Sequence, residues 1–570
     1  MRSSFRLLVC LTLTCLVAAD STPTALLDDA TFVGSTDGVT NKFLGIPYAQ
    51  PPIGQLRFSR PQPIERYTGT YAASEFGPWC PQQYIAPLTT FPPALDLGVT
   101  VRLLNSVLNA SAPQSEDCMR RITLVALLEK KSDHNCRSQL EYMDAAGCDY
   151  KVRLACCCLG KGGFQDGGSA LYDGGIIVER AVQLSEPIIV VSINYRLSAL
   201  GWITGKEARD ARVGNLGYRD QRLAFRWGES AGAMSAAAHM LTNGGNNDGL
   251  FRGAYMQSGS LLPFGDVQGA QVFYDGLVAD AGCEGAIDTL QCLRHIPFDR
   301  LKAAIDMSPS FFSFQSLATS WFARHDGNFL PKSPYELAEE GSIAKVPVVT
   351  GVCEGEGTVF ALTSLNITTA EELHDWLSTY FFVNASSAEI NGLLTAYPED
   401  PSLGSPFNTG LLNTPTPQFK RIAAFLGDMM FEAPRKAFVE AMSGNQDVWT
   451  YMTRRRKNTA ILGSAHVTDL FDMFGPSDMT DHLIHFVNYL DPNGPPGLAN
   501  QTEGVFNDTP HTQAPFDLGG PALFWPKYDS MTKTKLIYMD GAQPLGLAED
   551  TDREEQLGYI ADFLKGNPVR

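Results

Sequence analysis

Five short apolar runs, rich in β-branched residues and bounded by turn formers, punctuate the chain: Pro187 to Tyr195, Gly253 to Met256, Val346 to Val352, Val448 to Met452 and Lys535 to Met539. Each is too short for a stable helix and too uniformly apolar for a strand with one wet face, so each suits a strand buried on both sides. The segments between them suit helices, among them Phe419 to Ala441, with an irregularity expected at Pro434. Strands alternating with helices imply an α/β fold, a mostly parallel central sheet flanked by helices. Chemistry in such a fold collects in the loops beyond the carboxyl ends of the strands. No internal repeat, low-complexity tract or long Gly/Ser/Pro linker divides the chain, so residues 20–570 read as a single domain with insertions.

Lys and Arg number 44 against 62 Asp and Glu, a formal charge of -18. That balance repels polyanions and argues against a nucleic-acid partner. Arg2 and Arg6, a mainly apolar run from Leu7 to Val17, and Ala18 and Ala19 before Asp20 follow the order of a secretory signal peptide, residues 1–19. The run is too short to span a bilayer, and the tail from Asn567 to Arg570 lacks a lipid-anchor signal. The mature chain is therefore expected outside the cell with no stable membrane anchor. Five N-x-S/T acceptors, at Asn109, Asn366, Asn384, Asn500 and Asn507, agree with export and glycosylation.

Gly228-Glu229-Ser230-Ala231-Gly232 matches the G-x-S-x-G nucleophile elbow, in which flanking glycines let a strained serine turn sit between a strand and a helix. Alone it says little, since about 0.3 such pentapeptides arise by chance in a chain this rich in glycine. Its partners follow in the order serine, acid, histidine. Glu354 and Glu356 come just past the apolar run ending at Val352, and His466 sits in a small-residue loop after the run ending at Met452. A serine hydroxyl needs a base to take its proton, and the base needs a carboxylate to fix its tautomer. An acyl-transfer site also needs donors for the developing oxyanion; Gly162 and Gly163, with the Ala231 amide, are candidates, and an ordinary flexible loop is the alternative for the two glycines.

Longer runs carry a resemblance: Phe43 to Pro52 (F-L-G-I-P-Y-A-Q-P-P), Ser115 to Cys118, Asn194 to Leu197, Gly214 to Gln221 (G-N-L-G-Y-R-D-Q), Gly228 to Gly232, Gln257 to Ser260, Gly355 to Thr358 and the His466 loop. From about residue 30 to 565 the chain resembles the type-B carboxylesterase and lipase family, the cholinesterase-like branch of the α/β-hydrolases, and most of all its secreted fungal lipases. The resemblance implies an α/β-hydrolase fold and a triad of Ser230, Glu356 and His466, with Glu356 rather than Glu354 as the acid because it precedes Gly357 and Thr358. It implies no metal and no organic cofactor. It also pairs Cys80 with Cys118 and Cys283 with Cys292. In the similar fungal lipases the first of these loops is a flap over the active site; here Leu97, Val101, Leu104 and Leu108 give the 80–118 loop one apolar helical face, which plain packing on the core would also explain.

The sequence departs from the family pattern twice. Members place a further helix, a turn and a whole strand, roughly twenty residues, between the helix matching Gly217 to Trp227 and the elbow. Here Trp227 abuts Gly228, so the central strand beneath Ser230 is expected to be missing. Residues 119–160 should hold two buried strands but carry Arg120, Arg121, Lys130, Lys131, Arg137, Lys151 and Arg153 with Cys136, Cys148 and Cys156 to Cys158, a poor composition for buried strand. Those cysteines lack the paired spacing of a metal site. A missed exon near residue 227 and intron or wrong-frame translation within 119–160 would produce both departures. The expected function is a secreted hydrolase of carboxylic esters, an esterase or a lipase working at a lipid-water interface; the alternative is a catalytically silent relative.

Overall fold

The computed structural model describes residues 22–86, 92, 95, 98, 113–126, 153–157, 162–221, 226–495 and 523–570. The described strands are β1 (Thr24–Leu27), β2 (Asp29–Val33), β3 (Ser35–Thr36), β4 (Thr40–Pro47), β5 (Thr68–Ala72), β6 (Arg120–Ala126), β7 (Arg153–Cys157), β8 (Ile188–Ile193), β9 (Arg226–Glu229), β10 (Ala254–Gln257), β11 (Val348–Cys353), β12 (Val448–Thr453), β13 (Thr534–Tyr538) and β14 (Leu545–Glu549). Strands β1, β2 and β5 form a small separate sheet, and the rest form one sheet of eleven in the order β14-β13-β12-β11-β10-β9-β7-β8-β6-β4-β3. From β8 through β7 to β13 every neighbouring pair is parallel, while the strands outside them pair antiparallel.

All five apolar runs are strands of this sheet, β8, β10, β11, β12 and β13. Every residue of β10, β11 and β12 is buried, which explains why they read as continuous rather than alternating apolar runs. The segment around Pro434 is a helix Phe419–Gly427, a π-turn Asp428–Glu432 and a helix Ala433–Met442. Pro434 has no N–H to give the preceding turn, and the wider turn falls immediately before it.

Two expectations are corrected. The strand beneath Ser230 is present: β9 is only four residues long, but it pairs in parallel with all four residues of β10, from Arg226 opposite Ala254 to Glu229 opposite Gln257. On its other side it meets β7 at only two positions. Arg226 and Trp227, the end of the preceding segment, have been drawn into the sheet with the first two residues of the elbow motif, because a gap there would leave the inner edges of β10 and β7 unpaired in a buried position. The 119–160 segment likewise contributes β6 and β7. Its basic start is accommodated at the strand's mouth, where Arg120 is half-buried and pairs with Asp117 at 2.7 Å, while Ile122 points into the core. Residues 127–152, with Cys136 and Cys148, lie outside the described residues, as do residues 1–19, Leu97, Val101, Leu104, Leu108, Asn109, Asn500 and Asn507. Asn366 and Asn384 are exposed.

Cys80 and Cys118 form a disulfide, as do Cys283 and Cys292. One close backbone approach matters for the site. A Cβ on Gly357 would lie 1.9 Å from the Ala423 carbonyl oxygen and 2.6 Å from the Gly427 nitrogen, so the loop after β11 rests directly on the helix Phe419–Gly427. Neither neighbour is a flexible side-chain end, so the clash has no cheap escape. Gly357→Ala is expected to destabilise the fold by about 1–3 kcal/mol and to displace Glu356, seen as a lower urea midpoint together with a lower turnover.

Candidate active site

Ser230 follows β9 directly and precedes the helix Ala231–Leu241, with φ 52° and ψ -121°, a conformation that non-glycine residues rarely adopt. Two backbone hydrogen bonds hold it there: its N–H donates to the Gln257 carbonyl at 2.9 Å, and its own carbonyl accepts from Met234 N–H at 2.9 Å. The strand, turn and helix thus lift the hydroxyl above the carboxyl end of the sheet.

The acid and histidine loops arrive beside it from β11 and β12. Gly355 N–H donates to the Ser464 carbonyl at 2.8 Å, and the Thr358 hydroxyl donates to the Leu462 carbonyl at 2.8 Å, so the two loops are tied to each other. His466 Nε2 lies 2.9 Å from Ser230 Oγ, and its Nδ1 lies 2.5 Å from Glu356 Oε2. The other Glu356 oxygen accepts from Cys353 N–H at 2.6 Å. The rings of Phe431 and Phe360 stand 4.5 and 5.2 Å from the imidazole, closing it from water. Glu354 faces away from this group and pairs with Arg454 and Lys457.

Gly162 and Gly163 line the same cavity as Ser230 and His466. Gly163 has φ +52°, and a Cβ there would lie 2.8 Å from the Phe311 ring, so both backbone and space require glycine. Ala231 is the first residue of the helix that follows the serine, where backbone N–H groups have no partner within the helix. Phe311, Phe312, Leu317, Phe322 and Met430 make the remaining wall strongly apolar.

Two carboxylates come to the site that pattern reading did not single out. Glu229 Oε1 stands 3.2 Å from His466 Nε2, on the same side as the serine. It was visible only as the variable position inside the pentapeptide. Asp469, three residues past His466, is fully buried and accepts from Gln257 Nε2 at 2.9 Å and from the Tyr451 hydroxyl at 3.2 Å. Its signal in sequence is no stronger than that of any acidic loop residue. Burial pushes the Glu229 carboxyl up to about 8, against the pull of His466. Burial likewise opposes charge on His466, but the Glu229 and Glu356 carboxylates outweigh it and carry the imidazolium up to about 9. Asp469 is raised to about 6 by burial and by the neighbouring Glu356 charge. Glu229 and His466 therefore compete for a proton and titrate as a unit. Among the described residues no group of side chains is arranged to hold a metal ion, and no helix is long and apolar enough to cross a membrane.

A strand-turn-helix serine, a histidine within reach of it and a carboxylate behind the histidine are the parts of an acyl-transfer site. The family model described as the carboxylesterase family matches residues 30–227 and 228–496. The chain belongs to the carboxylesterase family. It is accordingly a serine hydrolase of carboxylic esters. "Secreted lipase 1" of Botryotinia fuckeliana (strain B05.10) is 36% identical over 96% of the chain and 94% of its own length. "Lipase 4" of Diutina rugosa is 34% identical over 97% and 98%. The solved structure of Aspergillus niger EstA superposes with a TM-score of 0.69 at 22% identity, covering 94% of this chain and 96% of that one, a likeness of fold. The family match breaks between residues 227 and 228, in the middle of β9.

The Glu229 charge beside Nε2 raises the proton affinity of His466, so removing it lowers that affinity. With Glu229→Gln the imidazole stays unprotonated to lower pH. The acid limb of the kcat/KM profile is expected to move down, with the basic side little changed, in a pH-rate comparison of the two proteins.

Proposed function

We propose that the chain is a secreted carboxylic-ester hydrolase whose nucleophile is Ser230, with His466 as base and Glu356 orienting it. The observation that carries this reading is the unbroken hydrogen-bonded series from Ser230 Oγ through both ring nitrogens of His466 to Glu356. His466 Nε2 takes the hydroxyl proton as Ser230 attacks the acyl carbon. Glu356, anchored by Cys353 N–H, keeps the remaining ring proton on Nδ1 and stabilises the imidazolium. The amides of Gly162, Gly163 and Ala231 receive the oxyanion. His466 then returns its proton to the departing alcohol, and water repeats the sequence on the acyl-enzyme.

The apolar wall of the cavity supports an acyl group made of hydrocarbon, and relatives named as lipases support a glyceride or similar ester. Residues 20–570 form one hydrolase domain, exported by the 1–19 segment, with the 80–118 loop, closed at its base by Cys80–Cys118, acting as a flap. The rival reading, a silent relative, draws on the break in the family match at 227/228 and on the slender pairing of β9 with β7.

A fluorophosphonate probe separates the two. The parent protein is expected to label, and Ser230→Ala to lose the label; a parent that does not label removes the enzyme reading. His466→Ala should lower kcat by roughly 10⁴-fold or more, and Glu356→Gln by about 10³ to 10⁴, in single-substrate kinetics. Esters of increasing chain length, assayed in solution and as an emulsion, distinguish lipase from esterase: a lipase gains turnover when the long-chain ester forms an interface.

A further inference from the structure

Strand β9 has almost no length with which to aim Ser230, yet the serine and histidine meet at hydrogen-bonding distance. Something beyond strand pairing must fix the elbow relative to the histidine loop. The polar side chains buried beneath the triad form one connected series. The Trp227 indole N–H, at the middle of β9, donates to Gln257 Oε1 at 2.7 Å. Gln257 Nε2 donates to Asp469 Oδ2 at 2.9 Å, and the Tyr451 hydroxyl on β12 donates to the same oxygen at 3.2 Å. The Gln257 backbone carbonyl meanwhile accepts the Ser230 N–H at 2.9 Å. All four side chains are at most 1% exposed.

We infer that Gln257 and Asp469 are positioning residues, a clasp that sets the nucleophile's turn against the loop carrying its base. The inference rests on the reading of Ser230 and His466 as nucleophile and base. Gln257 holds the serine by its backbone and the residue three before it by its side chain, so β9 can neither slide along β10 nor rotate about its own axis. Asp469 directly follows the turn that holds His466, closed where Thr468 N–H donates to the Ala465 carbonyl, so a displacement of Asp469 is passed to the histidine. The Gln257–Asp469 bond therefore joins two elements whose sequence positions are far apart and whose relative placement decides the Oγ to Nε2 distance. Glutamine suits the junction because its amide has an acceptor for the indole and a donor for the carboxyl group. A low-dielectric setting makes each of these bonds costly to break singly.

The clasp predicts a kinetic pattern that loss of stability alone does not give. With kcat expressed per fluorophosphonate-titrated site, Asp469→Leu and Gln257→Leu should each lower kcat by about 10- to 100-fold with KM changed by less than about 3-fold, since a misplacement near 1 Å costs on that order. The double variant should be no worse than the poorer single, the mark of two residues acting as one unit. Asp469→Asn, whose amide oxygen can accept both hydrogen bonds, should recover most of the activity lost in Asp469→Leu. Losses that multiply, or an Asp469→Leu protein that folds and turns over like the parent, overturn the clasp. If the leucine variants do not fold, Trp227→Phe decides it: it removes the indole N–H, with its fused ring, and leaves Gln257 and Asp469 in place, and an unchanged kcat per site overturns the proposal. A readout independent of turnover is hydrogen exchange of the Trp227 indole proton, assigned by its absence in Trp227→Phe. It should accelerate at least 10-fold in Asp469→Asn's apolar counterpart Asp469→Leu or, failing that, in Tyr451→Phe. A parent that fails to label at Ser230 refutes the functional reading, whereas an indole proton indifferent to these changes refutes the clasp.

Discussion

Everything at the site hangs on one strained residue. Ser230 occupies a region of backbone space that costs on the order of 1–3 kcal/mol for a side chain to enter, and such a conformation persists only where its surroundings over-determine it. The surroundings are a strand behind, a helix ahead and a neighbouring strand end, Gln257, that accepts the serine's own N–H. Release of the strain by any of these routes would lower the hydroxyl into the sheet and away from His466. The sheet order, the register of β9 on β10 and the burial of every residue in β10 are in this sense conditions on one torsion angle.

His466 is controlled by its walls as much as by its partners. Phe360 and Phe431 exclude water from His466, and the exclusion raises the worth of each charge nearby. Glu356 is held in place by a backbone N–H, while burial pushes Glu229 toward its neutral form. Two carboxyl groups at one imidazole are thereby separated in role. The π-turn Asp428–Glu432 serves the same arrangement: it turns Met430 and Phe431 toward the cavity while Asp428 and Glu432 pair with Arg553 and Arg435 on the other side of the helix.

Much of this was legible in the sequence, and the divisions fall along physical lines. Strands β8, β10, β11, β12 and β13 are buried on both faces and announce themselves as unbroken apolar runs. The serine, acid and histidine loops follow from a motif whose order along the chain is fixed by the order of the strands that carry them. β9 was not legible, because Arg-Trp-Gly-Glu has neither length nor β-branching, and its conformation is imposed by the strands on either side. β6 and β7 were obscured by basic residues and cysteines, of which Arg120 proves to sit at a strand's entrance and not in its middle. Glu229 and Asp469 were hidden for a different reason: an acidic residue in a loop is usually solvated, and only the topology that folds those loops over the sheet turns them into buried groups acting on one histidine.

β10, the strand that β9 must cover, is itself only four residues long, and β9 matches it residue for residue. Four residues therefore satisfy the edge of β10 completely. What they leave thin is the other side, where β7 is met at two positions. Trp227 instead turns its indole toward Gln257, reinforcing the side that is already paired. The elbow thus hangs from β10 and, through Gln257 and Asp469, from the histidine loop, with β7 contributing least. A sheet that distributes its support this way can tolerate variation in β7 more readily than in β10, since it is β10, through the Gln257 carbonyl, that accepts the Ser230 N–H.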